Sequence, residues 1–199
     1  LETNQAPVIV TRSALRRRIH QEAASLVNLG LHPDDLVIIA HTQSLESIYA
    51  FWGALAMGAI PSMFPTLTDK LDPDVYMKSM GELVRLSDAA AVLTTDEFAP
   101  VLRPLVTAPV FESARLATSS SSSLFVACQP NAANIAFLQH SSGTTGLQKG
   151  VALSHAAVLN QIAAYSDAIA LREDDVVVSW LPLYHDMGLI AGFILPLVQ

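Results

Sequence analysis

The run LVIIA, Leu36–Ala40, limits the possible folds of this chain more than any other stretch. An unbroken apolar run cannot alternate between a wet face and a dry one. It reads as a strand covered on both sides, as in a parallel sheet with helices packed above and below. The neighbouring segments keep that rhythm. Upstream, TRSALRRRIHQEAASLVNLG places Leu15, Ile19, Leu26 and Leu29 on one helical stripe, with Gly30 as the stop. Downstream, Ser44–Met57 reads as a helix ended by Gly58, and AIPSMF returns as an extended segment. Tyr76–Leu86 then predicts a helix, Ala90–Thr95 a strand, Glu97–Val106 a helix and Pro109–Phe111 a strand. Pro7–Val10, Asn134–Gln139, Val151–His155 and Val176–Trp180 also read as short strands. Val158, Ile162, Tyr165 and Ile169 trace a further helical stripe, which the Ser154 hydroxyl can cap. Strand and helix taking turns over short links predict an α/β fold with a largely parallel sheet flanked by helices. Such sheets bind ligands outside the carboxyl ends of their strands.

Composition narrows the class of function. With 51% hydrophobic and 15% charged residues among 199, the chain can bury a sizeable core, and global disorder is excluded. Eleven basic residues stand against 18 acidic ones, a net charge of −7, which argues against a nucleic-acid or anionic-membrane surface. Arg12, Arg16, Arg17 and Arg18 do cluster, and they read as the solvated face of one helix. The lone Cys128 leaves no disulfide within the chain and suits a reducing, cytoplasmic compartment. No charged-then-apolar signal segment opens the sequence. The longest apolar stretches, Phe51–Phe64 and Gly188–Val198, fall short of the roughly 18 residues a membrane span requires and read as buried helix and strand. Ser119–Ser123 is a low-complexity loop to which no chemistry is assigned. His185–Asp186 has no other histidine at ligand spacing, so no metal site is expected within the chain.

HSSGTTGLQKG, His140–Gly150, stands between two of these strands. A Ser/Thr/Gly loop with one lysine suits an anion with several oxygens. Glycines let backbone N–H groups approach, hydroxyls add donors, and the lysine adds a point charge. The P-loop order G-x-x-x-x-G-K-[ST] fails, because Gln148 precedes Lys149 and Gly150 follows it, and because the loop leads into a strand. That disfavours a P-loop phosphotransferase. The dinucleotide pattern G-x-G-x-x-G and the hydrolase elbow G-x-S-x-G are also absent. A non-catalytic nucleotide- or acyl-binding module stays open as an alternative.

Ser141-Ser142-Gly143-Thr144-Thr145-Gly146-Leu147-Gln148-Lys149-Gly150 resembles the phosphate loop of the acyl-adenylate-forming enzymes, [ST]-[SG]-G-[ST]-T-G-x-P-K-G. One position departs: Gln148 stands where that superfamily usually has proline, which loosens the turn before the lysine. GVALSH resembles the segment that follows the loop, SWLPLYHDMGL (Ser179–Leu189) resembles the motif LP-x-x-H-x-x-G, and AFWGALAMGAIPSMFP is similar to the helix–glycine–strand segment near the start of these enzymes. The HDMGLI version is similar to that of the fatty acyl-AMP ligases and related long-chain synthetases.

The resemblance implies ATP-dependent activation of a carboxylic acid, a fatty acid in that branch, as an acyl adenylate with release of pyrophosphate. The acceptor that follows, CoA, the phosphopantetheine thiol of an acyl carrier protein or none, is left open. Ser141, Ser142, Gly143, Thr144, Thr145, Gly146, Lys149 and Gly150 would hold the nucleotide phosphates. Lys149 would act on the β- and γ-phosphates, and Ser141 and Ser142 are equally consistent with simple turn chemistry. His185 would sit at the mouth of the acyl pocket, bordered by Trp180, Tyr184 and Met187, any of which is equally a core residue. His155 reads as structural. The resemblance also implies a Mg²⁺ glutamate, a ribose aspartate and a mobile C-terminal domain beyond Gln199. Residues 1–199 are therefore expected to form the N-terminal portion of an adenylation domain. Alone, they are expected to be inactive and to self-associate through Gly188–Val198.

Overall fold

The computed structural model describes residues 7–65, 67, 72–116, 127–140 and 150–199. Its frame is one six-stranded sheet of β1 (Leu36–Ala40), β2 (Ile60–Phe64), β3 (Ala91–Thr94), β4 (Val110–Glu112), β5 (Ile135–His140) and β6 (Gly150–Ser154), in the order β4-β3-β1-β2-β5-β6. The first five run parallel, and β6 closes the edge antiparallel to β5. LVIIA is β1, buried along its whole length between β2 and β3.

Alternation along β1 divides the interior into two cores. Val37 and Ile39 point to the face covered by α1 (Arg12–Asn28), α2 (Leu45–Met57) and α6 (His155–Ala168), where they meet Leu26, Phe51 and Ile162. Leu36, Ile38 and Ala40 point to the face covered by α3 (Pro73–Leu86) and the single turn α4 (Ala99–Leu102), where Met80, Val84 and Leu102 wait. In β5, consecutive Ala136 and Phe137 both enter the first core, consistent with the irregular pairing between Ile135 and Phe137. A second short turn, α5 (Ser113–Leu116), receives the Ser25 hydroxyl at the Leu116 carbonyl, 2.7 Å away.

The helix ends follow their sequence signals. Ser44 caps α2 by accepting from the Ser47 N–H, and Gly58 ends it in the left-handed region at φ +91°. Ser154 caps α6 by accepting from the Ala157 N–H at 3.2 Å. Asp72 caps α3, with Pro73 as its first residue.

Four expectations need correction. Among the described residues, Pro7–Val10 joins no ladder, and it leaves Val8 and Ile9 exposed. Val176–Trp180 is likewise outside the sheet, with Val176, Val178 and Trp180 turned to solvent. Both have strand composition, but a strand exists only where a partner offers a ladder. Glu97–Val106 is not a full helix: α4 begins with Pro100 in its first turn and ends before Pro104, whose ring disfavours helical geometry in the preceding residue. Gly188–Val198 is not an open apolar patch. A π-helix, Met187–Ile194, leads into the turn α7 (Leu195–Val198), and Leu189, Ile194 and Leu195 are buried in the first core.

Candidate functional site

β5 ends at His140 and β6 begins at Gly150, and these two residues face each other in the antiparallel ladder. The two ends of the Ser/Thr/Gly/Lys loop are thus held side by side at the carboxyl edge of the parallel strands. Of the phosphate-binding candidates, Gly150 is the exposed first residue of β6. Ser141, Ser142, Gly143, Thr144, Thr145, Gly146 and Lys149 lie outside the described residues, as does Ser119–Ser123.

A groove of about 590 Å³ opens beside those ends. Gln139, His140, Val151 and Leu153 form its wall on the β5–β6 ladder, and Ala157, Val158, Gln161 and Tyr165 of α6 line it. His185, Asp186, Met187 and Ile190 close the other side. Its lining mixes apolar side chains such as Val151, Leu153, Val158 and Ile190 with imidazole, amide and carboxylate groups, which suits a ligand with an apolar body and a polar head.

The turn that carries His185 is rigidly placed. The His185 N–H donates to the Pro182 carbonyl at 3.1 Å, and the Leu189 N–H donates back to the His185 carbonyl at 2.9 Å. Asp186 caps the π-helix, its Oδ1 accepting from the Met187 N–H at 2.8 Å. Gly188 and Gly192 allow the segment Ser179–Pro182 to lie against this helix. A methyl group on Gly188 would run into the Pro182 carbonyl, and one on Gly192 would lie 2.7 Å from Ser179 Oγ. A π-helix widens the backbone ring and often marks a functional site.

The structure therefore brings His185 and Met187 to the groove. The Tyr165 hydroxyl donates to Met187 Sδ at 3.6 Å, tying α6 to the π-helix. Tyr184 is half-buried against the first core, its ring 4.7 Å from that of His185, so it backs the histidine without lining the groove. Trp180 is 78% exposed and is not among the lining residues. His155 opens α6, where its N–H donates to the Asn134 carbonyl, and burial lowers its pKa.

Gln139, His140 and Gln161 were not singled out from sequence. The signal for the first two was present, since they are the last residues of a parallel strand before the loop. Burial holds the His140 pKa below the usual histidine value, so its ring is neutral near pH 7. Among the described residues, no group of three or more His, Cys, Asp or Glu could hold a metal ion.

The sheet order, its antiparallel edge and the groove at the strands' carboxyl ends define an α/β protein with an open groove beside the ends of a polar loop. Residues 5–199 match the AMP-binding enzyme family, and the chain belongs to it. It is 31% identical, over 99% of its length, to a long-chain-fatty-acid–AMP ligase of Mycolicibacterium smegmatis, of which it covers 32%. It is 31% identical, over 92% of its length, to a 4-hydroxyphenylalkanoate adenylyltransferase of Mycobacterium marinum, of which it covers 30%. A solved structure from work on fatty acyl-adenylate ligases of E. coli and L. pneumophila superposes with a TM-score of 0.89 at 27% identity, over 98% of this chain and 36% of that one. The chain thus spans about a third of the length of the relatives it matches. No helix among the described residues is long and apolar enough to cross a membrane.

Proposed function

We propose that the protein containing these residues activates a fatty acid with ATP, forming an acyl adenylate and releasing pyrophosphate. The observation that carries this reading is the groove. Its lining mixes apolar and polar side chains, and it opens where His140 and Gly150 hold the ends of the loop together. The names of the relatives point to the same chemistry. A carboxylate oxygen of the acid attacks the α-phosphorus of ATP. The bond from that phosphorus to the oxygen bridging to the β-phosphate breaks, and pyrophosphate leaves with the electron pair. The obstacle is charge, since an anion must approach a polyanion. Lys149 would neutralise the β- and γ-phosphates, while Ser141, Ser142, Thr144, Thr145 and the backbone at Gly143, Gly146 and Gly150 would donate to phosphate oxygens. His185, which lines the groove, would orient the carboxylate. Mg²⁺ would be held by residues beyond this chain, and the acyl group would then pass to the thiol of CoA or of a carrier protein, or to no further acceptor. Residues 1–199 would form the N-terminal portion of the adenylation domain.

The test is carboxylate-dependent exchange of pyrophosphate into ATP by the full-length protein. Exchange is expected with fatty acids, and Lys149→Ala is expected to slow it by roughly 100-fold or more, the usual cost of losing one positioned charge. No exchange with any acid of a chain-length series, or full exchange by the variant, overturns the reading.

A further inference from the structure

One hydrogen bond beside the groove has no part in the chemistry above. Ser62 lies in the middle of β2 with no exposed surface, and its Oγ is 2.9 Å from Nδ1 of His140, the last residue of β5. The imidazole also stands edge-on to the Phe64 ring, at 5.7 Å and 82°. The imidazole is thereby anchored at the point where the chain leaves the sheet.

The bond also sets the tautomer. Among the described residues, the Ser62 hydroxyl has no other hydrogen-bond partner. A buried O–H that fails to donate costs more than one that does, so it donates to Nδ1. A neutral ring with an unprotonated Nδ1 carries its proton on Nε2. The ring stays neutral because burial disfavours the imidazolium. Nε2 lies on the side of Gly150, where a Cβ would be 3.8 Å away, and His140 lines the same groove as His185.

We propose that His140, locked by Ser62, is a preset neutral hydrogen-bond donor to an anionic oxygen of a bound substrate, either a nucleotide phosphate or the acid's carboxylate. This rests on the adenylate-forming reading of the groove. A donor held by the sheet needs no reorganisation when the anion arrives, and its neutrality keeps the strength of the contact constant across neutral pH.

The experiment uses the full-length protein and three readouts. His140→Phe keeps an aromatic ring against Phe64 and removes both nitrogens, while Ser62→Ala keeps the imidazole and removes the lock. His140→Phe is expected to raise one KM by roughly 10- to 100-fold, the usual scale for losing a hydrogen bond to a charged group. The affected KM is that for ATP if the anion is phosphate and that for the acid if it is carboxylate. Ser62→Ala should move the same KM by less. Both KM values unmoved, or a fall in kcat and melting temperature alone, overturns the proposal in favour of simple packing. A long-range ¹H–¹⁵N spectrum of histidine-labelled protein needs neither turnover nor His140→Phe. It should show His140 protonated at Nε2 and shifting when ATP or a fatty acid is added. An Nδ1–H tautomer, or no shift with either ligand, overturns the proposal even where exchange activity is normal. Absence of exchange activity in the unmutated protein sinks the adenylation reading separately.

Discussion

Glu22 sits between α1 and α2 with 1% of its surface exposed, and among the described residues neither carboxylate oxygen has a hydrogen-bond partner. Gly53 makes room for it, since a Cβ there would be 2.6 Å from Glu22 Cγ. Arg18 offers a guanidinium nitrogen at 3.7 Å while stacking over the Tyr49 ring. Burial outweighs that attraction, and Glu46 adds repulsion, so the carboxyl pKa is pushed up from 4.5 to about 7. The folded state therefore holds this proton more tightly than the unfolded chain does. Its contribution is fully present below 4.5 and is lost as the pH rises through about 7, a loss on the order of 3 kcal/mol. His41 and His140 act with the opposite sign: burial lowers their pKa, and their contribution is lost as the pH falls below 6.5. Thermal melting at a series of pH values is expected to show Glu22→Gln more stable than the parent above about pH 7, with the gap closing towards about pH 5. Parallel melting curves for the two proteins would contradict the buried-charge account. At the same scale, His185→Ala is expected to weaken use of the acid more than use of ATP in exchange assays of the full-length protein. Equal losses on both, or a loss of thermal stability alone, would make His185 a structural residue.

At the scale of the element, the π-helix Met187–Ile194 determines where His185 stands. Gly188 faces a backbone carbonyl, that of Pro182, which also accepts from the His185 N–H. Backbone cannot rotate away, so Gly188→Ala must displace the turn, and overpacking of this kind typically costs about 1–3 kcal/mol. Gly192 faces the Ser179 side chain, which can turn aside. Gly188→Ala is therefore expected to lower the melting temperature and raise the KM for the acid, with Gly192→Ala milder on both counts. The reverse order would show that the close approach at Pro182 does not position the turn.

Among the described residues, two extended segments outside the sheet expose apolar side chains: Val8 and Ile9 in the first, and a longer run in the second. Val176 and Val178 are 85% and 81% exposed, and Trp180 follows them at 78%, on backbone that joins no ladder among the described residues. Extended backbone with apolar side chains is a template for pairing with another chain. Residues 1–199 on their own are expected to sediment as concentration-dependent oligomers, with the doubly substituted Val178→Lys, Trp180→Lys form shifted towards monomer. A clean monomer without the substitutions, at tens of micromolar, would contradict this.

Local features and the overall plan were legible in the chain of residues. LVIIA reads as a doubly covered strand, and the Ser154 cap and the Gly58 stop announced their helices, because such signals act within a few residues. The order of strands and helices was enough for an α/β fold, and the loop with SWLPLYHDMGL was enough for the family. Which segments of strand composition became strands depended on the folded assembly. Pro7–Val10 and Val176–Trp180 have the right residues, but strand formation requires a partner supplied from elsewhere in the chain. Nor could sequence pair Ser62 with His140, residues far apart in the chain whose bond depends on β2 and β5 becoming neighbours. The same holds for Glu22: its pKa follows from the close packing of α1 on α2, and desolvation belongs to the packed interior, not to any stretch of residues.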